Sequence, residues 1–241
     1  MEWYTLPQQA IIRNRYDIGD DHVQAILAKW AAGDHEAAVK DLVQYLQDHS
    51  EDIEAYVTLA TFLTTLKDFE QAEALLQKAL TQFHNEAALT YALGTLYYQA
   101  GAYQQAVPLF MQLVQDSQST DAQYMLAQTY HQLEQNPRAL AFALTVQEQE
   151  PDQLDANLLV GDILTSLGDF DQAQTYLKKA LSIAPQNGEV LFKYGLTQLV
   201  LGADSEPYFE QAKHYAPDYF KKNKQQLIDI EGFMQAKEQK E

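Results

Sequence analysis

Asp68-Phe69-Glu70-Gln71-Ala72 and Asp169-Phe170-Asp171-Gln172-Ala173 are near copies of one another. Each runs on into an apolar helical stretch, Ala74 to Leu80 (ALLQKAL) after the first and Tyr176 to Leu181 (YLKKAL) after the second. Two looser copies stand nearby. Ala102-Tyr103-Gln104-Gln105-Ala106 leads into Val107 to Val114, and Asp34-His35-Glu36-Ala37-Ala38 leads into Val39 to Leu46. Gly33, Lys67 and Gly101 recur at intervals of 34, as do Gly168 and Gly202. A fixed period of this length marks a chain built from one supersecondary unit that buries its apolar face only against its neighbours. No run alternates with period two over a useful length, so no sheet is predicted.

With those residues in view, the chain resembles the tetratricopeptide repeat (TPR) family, whose unit is a helical hairpin of about 34 residues. The family places a small residue at repeat position 8, and here it is Ala60, Gly94, Ala127, Gly161 and Gly195. Position 20 is small in Ala38, Ala72, Ala106, Ala139 and Ala173, and position 27 in Ala79, Ala180 and, after a two-residue shortening, Ala212. The helix-ending proline at position 32 is met by Pro151, Pro185 and Pro217. The resemblance implies an all-α fold, a right-handed superhelical solenoid of about six hairpins at 19–52, 53–86, 87–119, 120–153, 154–187 and 188–219. A non-repeat segment, 1–18, precedes the repeats, and a C-terminal capping helix, 220–241, follows them. The family's frequent Trp at position 4 is absent: Tyr56, Thr90, Gln123, Asn157 and Leu191 stand there. Ile26 occupies the first repeat's small-residue position, which predicts an irregular first helix.

Local chemistry points the same way. Gly101 and Gly168 fall where a first helix should stop. Asn136-Pro137 reads as an N-cap followed by proline at the first helical position. Pro108 falls inside an expected second helix and predicts a slight kink or a late start. Beyond Pro217, Phe220, Leu227, Ile230 and Met234 recur at helical spacing among lysines, the pattern of a helix that covers the last hairpin. Residues 1–18 carry Trp3, Tyr4, Leu6, Ile11, Ile12 and Tyr16. They cap the first hairpin, fill the groove or dock a second protomer.

In the family, first-helix residues at positions 2, 5, 9 and 12 line a concave peptide-binding groove. Carried onto this chain, positions 5, 9 and 12 are Val57, Thr61 and Thr64, then Tyr91, Thr95 and Tyr98, then Tyr124, Gln128 and His131. Leu158, Asp162 and Thr165 follow, and then Phe192 and Leu196. Tyr91, Tyr124 and Phe192 share one position and predict an interrupted aromatic row, although a tyrosine on an apolar stripe also serves as core. Some family members grip a C-terminal carboxylate with Lys, Arg and Asn here. This chain has only Lys193 nearby, so that mode is not expected.

Charge sets the partner. The chain has 241 residues, 16 Lys and Arg against 34 Asp and Glu, and a net charge of −18. A polyanion of this size repels nucleic acid and anionic lipid. From Ala79 to Leu177 the only cationic side chain is Arg138, against eleven carboxylates. Most of these are expected to cap helices and turns; Asp162 is placed in the groove. The expected ligand is another protein or peptide segment, basic or aromatic-rich, bound less tightly as salt rises.

Catalytic chemistry finds no footing. There is no cysteine, which removes disulfides, thiolate nucleophiles and zinc–thiolate sites together. None of the six histidines is spaced for a helical metal pair, and no glycine loop of the phosphate-cradling kind is present. Lys221-Lys222-Asn223-Lys224 reads as a solvated helix start. No stretch approaches the ~20 apolar residues of a membrane span, and residues 1–20 lack the apolar core of a signal peptide. The reading is a cytoplasmic scaffold without enzymatic activity, cofactor or metal. The alternative is a structural protein that self-associates as a homo-oligomer, a homodimer for instance, through residues 1–18 or an end of the stack.

Overall fold

A computed structural model describes residues 21–238, and among these the backbone forms thirteen α-helices and no strand. Tertiary contacts divide the chain into two compact units, Met1–Ala100 and Gly101–Glu241. The segment 1–18, with its capping, groove-filling and docking readings, lies outside the described residues.

The first unit holds α1 (Asp21–Ala31), α2 (His35–Asp48), α3 (Ile53–Thr65), α4 (Phe69–Gln82) and α5 (Ala87–Gln99). Each helix packs on the next, and α3 also packs directly on α5. The second unit holds α6 (Tyr103–Ser117), α7 (Thr120–Gln132), α8 (Asn136–Gln149), α9 (Leu154–Ser166) and α10 (Phe170–Ile183). It continues through α11 (Gly188–Val200), α12 (Glu206–Tyr215) and α13 (Pro217–Glu238). Sequential helices again pack together; α7 touches α9, and α13 lies against both α11 and α12. The all-α, helical-repeat architecture is the one the 34-residue period predicts.

The turns explain the period. Lys67 and Glu134 have φ of 63° and 57°, and Gly33, Gly101, Gly168 and Gly202 share that left-handed conformation. The amide that follows reaches back five residues, as in Asp68 to Leu63 O, Gln135 to Tyr130 O and Asp169 to Leu164 O, all at 2.9 Å. That bond occupies a carbonyl the helix end would leave bare. The next helix then starts on a carboxylate cap: Asp68 accepts from Gln71 N and Asp169 from Gln172 N. Asp34 and Asp52 do the same for α2 and α3. These acids satisfy orphan amides and lie favourably in the helix dipole.

The small residues let helices approach. Ala38, Ala72, Ala79, Ala106, Ala139, Ala173, Ala180 and Ala212 are all completely buried. A Cβ at Gly161 would stand 2.7 Å from Leu177 Cγ, and one at Gly195 2.9 Å from Phe209 Cε1. Large leucines and phenylalanines such as Leu42, Leu76, Phe110 and Leu126, together with Ile163, fill the space around these contacts.

Three local expectations are corrected. Ile26 does not disturb its helix: it is buried within the unbroken α1 and contributes to the core. Pro108 does not delay α6, which starts at Tyr103 and continues through the proline to Ser117. Its ring is exposed, as is Gln104, the residue whose carbonyl loses a donor, so water can serve that carbonyl. Asn136 is the first residue of α8 instead of its cap. Gln135 caps without a side-chain bond, and Asn136 Oδ1 pairs with His131 Nδ1 at 2.7 Å.

Candidate ligand-binding face

In the first unit, α3 and α5 bring Val57, Thr61, Tyr91, Thr95 and Tyr98 to half-buried positions, while Thr64 is buried. Thr61 and Thr64 spend their hydroxyls on their own helix, donating to Val57 O at 2.8 Å and Ala60 O at 2.7 Å. Thr95 Oγ1 is buried with no hydrogen-bond partner.

The second unit concentrates the polar chemistry. On α7, Gln128 Nε2 donates to the Tyr124 hydroxyl at 3.0 Å, and Gln128 Oε1 is buried without a partner. His131, three residues further on, is half-buried and tied to Asn136. On α9, Thr165 donates to Gly161 O, and Leu158 is only 9% exposed. Asp162 faces α11, where Lys193 Nζ lies 2.7 Å from Asp162 Oδ2 and 2.7 Å from Glu189 Oε1. The two side chains of the bridge between helices are 32% and 20% exposed, so the pair sits in a half-closed face, partly out of water.

Asp155 lies on the same side of α9 two turns before Asp162, and its carboxyl feels both Glu189 and Lys193. Burial raises its carboxyl above the ordinary range, Glu189 raises it further, and Lys193 opposes both. Burial likewise raises Asp162, against the pull of Lys193 and the weaker pull of His131. Burial works against the charge on Lys193, but Asp162 and Glu189 outweigh it and hold the ammonium protonated far above its usual range. Two carboxylates, Asp162 and Glu189, therefore share one ammonium, and Asp155 adds a third acidic group that feels the same charges in a partly desolvated setting.

Phe192 and Leu196 are placed differently from the residues at matching positions on α7. They are 1% and 5% exposed, in a cluster with Leu191, Phe209, Ala212 and Leu227. The aromatic row drawn from Tyr91, Tyr124 and Phe192 thus loses Phe192 to the core under α13. Lys193 is not a solitary cation but the hub of the cluster. Asp155 and Glu189 were the residues that sequence reasoning passed over. Their signals were present, because Asp155 and Asp162 are seven apart on one helix and Glu189 and Lys193 are four apart on another.

Among the described residues, no set of three or more His, Asp or Glu is arranged to hold a metal ion. No helix among them is long and apolar enough to cross a membrane. The accessible groups of this face are charged side chains and half-buried aromatic rings.

No curated protein sequence matches the chain. Among solved structures, MamA is 22% identical, with a TM-score of 0.60 over 68% of this chain and 97% of its own. YrrB, a TPR protein with an unusual peptide-binding site, is 22% identical, with a TM-score of 0.59 over 74% of this chain and 94% of its own. TTC0263 of Thermus thermophilus, a thermophilic TPR protein, is 20% identical, with a TM-score of 0.56 over 68% and 92%. At these identities the likeness speaks for the fold. The sequence family is decided by the repeats themselves, for a tetratricopeptide repeat model matches residues 29–96 and 97–163 and a second one matches 154–187. With the caps, left-handed turns and buried small residues all falling on that period, the chain belongs to the tetratricopeptide repeat family.

Proposed function

We propose that this chain is a non-catalytic protein-interaction module whose ligand is a basic peptide segment laid on first-helix faces, with α7 and α9 as its principal contact in the second unit. One observation carries the reading: Asp162 and Glu189 both hold the ammonium of Lys193 on a half-open face, and burial and Glu189 raise the carboxyl of Asp155 on the same helix as Asp162. A ligand arginine or lysine would meet carboxylates already stripped of part of their water, where charge-assisted hydrogen bonds are strongest. Tyr124 and His131 offer aromatic surface on α7, both half-buried. In the first unit, Tyr91 and Tyr98 supply a face of the same aromatic character. YrrB shares the fold and has a peptide-binding site, which agrees with this use of the surface. The large negative charge of the chain favours encounter with a cationic segment.

The test is fluorescence anisotropy with a labelled decapeptide of alternating lysine and tyrosine, its glutamate–tyrosine counterpart serving as control. The basic peptide should bind, lose affinity as salt rises, and lose it again in a Tyr124→Ala, Asp162→Asn variant. Equal binding of both peptides, or indifference to the double substitution, would sink the assignment.

A further inference from the structure

The first-helix positions that stay half-open on α7 are closed on α11 by the chain's own last helix. Phe192 meets Tyr219 edge-on at 5.8 Å and 78°, and Phe220 at 5.6 Å and 89°. Phe209 of α12 completes the aromatic box, 5.7 Å from Phe192. The described side chains of α13 are mostly exposed. Among its described side chains only Leu227 is buried, with Tyr219, Phe220 and Ile230 partly so. Its connection to α12 is a single residue, Ala216, between Tyr215 and Pro217.

The occupant has a definite chemistry. An aromatic pair, Tyr219 and Phe220, is followed seven residues after the second by Leu227, which places Phe220 and Leu227 on one helical stripe. Around them Lys221, Lys222 and Lys224 are exposed, three cations in a chain of net charge −18. The covered face adjoins the acidic one, because Glu189, which holds Lys193, stands one turn before Phe192 on α11 and Tyr219 lies within electrostatic reach of the same ammonium. So the first half of the segment that fills this face, up to Leu227, sets three lysines against the one carboxylate of Asp218 beside an aromatic and leucine stripe, the ligand class that the neighbouring carboxylates favour, while α13 as a whole balances four lysines with four carboxylates.

We propose that the Phe192–Leu196–Phe209 face is a helix-docking groove that α13 fills in cis, and that a partner's basic amphipathic helix, with an aromatic residue and a leucine seven positions later, competes with α13 for it. This rests on the reading of the chain as an interaction module. It adds a regulation: the groove is closed until a helix of matching pattern displaces the resident one, and the partner's apparent affinity falls by the fraction of time that α13 is seated.

The experiment uses the full chain and a labelled synthetic peptide of residues 217–238. Binding is read by anisotropy, and opening by amide hydrogen exchange. The intact chain should bind the peptide weakly, and a Phe220→Ala, Leu227→Ala chain about tenfold more tightly or better. In that variant α13 amides should lose protection while those of α9 and α11 keep it. Loss of protection in α9 and α11 together with α13 would make α13 an inseparable cap and overturn the proposal. So would an opened α13 with no gain in peptide binding. If the double variant does not fold, Phe220→Leu, which keeps apolar bulk but removes the edge-on ring contact, gives a graded version of the same readout. A dimer of the intact chain that the peptide dissolves would assign the face to a second copy's α13 and overturn the partner. Adding Asp162→Asn to the loosened chain separates the two readings: peptide binding that survives it while the lysine–tyrosine decapeptide is indifferent would refute the acidic face and leave the groove standing.

Discussion

Lys193 Nζ stands 2.7 Å from Asp162 Oδ2, and so ties α11 to α9 across 31 residues of sequence while Glu189 holds the same ammonium from its own helix. Removing the ammonium leaves carboxylates facing one another in a half-closed setting. Lys193→Met should therefore destabilise the fold by about 2 kcal/mol, below the cost for a fully buried pair because water still reaches the bridge. Adding Asp162→Asn should recover part of that loss. Urea titration of the two variants checks both; an additive, unrecovered loss would mean that the bridge is not the source.

Asp155 sits where burial, and after it Glu189, raises its carboxyl above the ordinary value of 3.8. The folded state therefore binds this proton more tightly than the unfolded state does. Stability falls as pH rises through the interval from 3.8 to the raised value, and the cost is complete above it. Asp155→Asn should raise Tm at pH 7, and the gain should shrink to nothing as the pH drops below 3.8. Calorimetric melts across that range decide it.

Gly161 has no room for a methyl group, since its Cβ would fall 2.7 Å from both Leu177 Cγ and Leu177 Cδ2. Gly161→Ala should cost about 1–3 kcal/mol through overpacking, even though alanine is the better helix former. Gly232 is the control, with nothing within 4 Å of its Cβ position. Gly232→Ala should stabilise α13 by up to about 1 kcal/mol. Equal signs for the two substitutions in thermal melts would rule out the close contact between α9 and α10.

Glu134 holds φ at 57° in the turn between α7 and α8, a place that glycine fills in four of the described turns. A side chain in that conformation is strained by roughly 1 kcal/mol, and glycine relieves it at the cost of chain entropy. Glu134→Gly should be neutral to stabilising by about 0.5 kcal/mol, whereas Gly168→Glu in the equivalent turn should destabilise by about 1 kcal/mol. A pair of denaturation curves measures the asymmetry.

Much of the fold was legible because a tetratricopeptide unit is specified locally. Asp68 and Asp169 cap helices from three residues away, Gly33, Gly101 and Gly168 end them, and Ala72 and Ala173 mark where backbones must come close. Each of these signals acts within one hairpin and then repeats. Ile26 and Pro108 misled for the opposite reason. Ile26 found core space, and Pro108 found a solvent-facing side, and both facts belong to the packed state.

The sequence by itself determined the period, the helices, the turns and the acidic character of the chain, since these depend on residues a few positions apart and on composition. Only the tertiary structure decided which surfaces stay open. Phe192 and Tyr124 occupy matching repeat positions, yet one lies under α13 and the other is half-exposed, and Lys193 found Asp162 one repeat away. A repeat pattern specifies where a side chain points from its own helix. What covers it depends on which distant segment arrives there, and burial and charge coupling follow from that arrival.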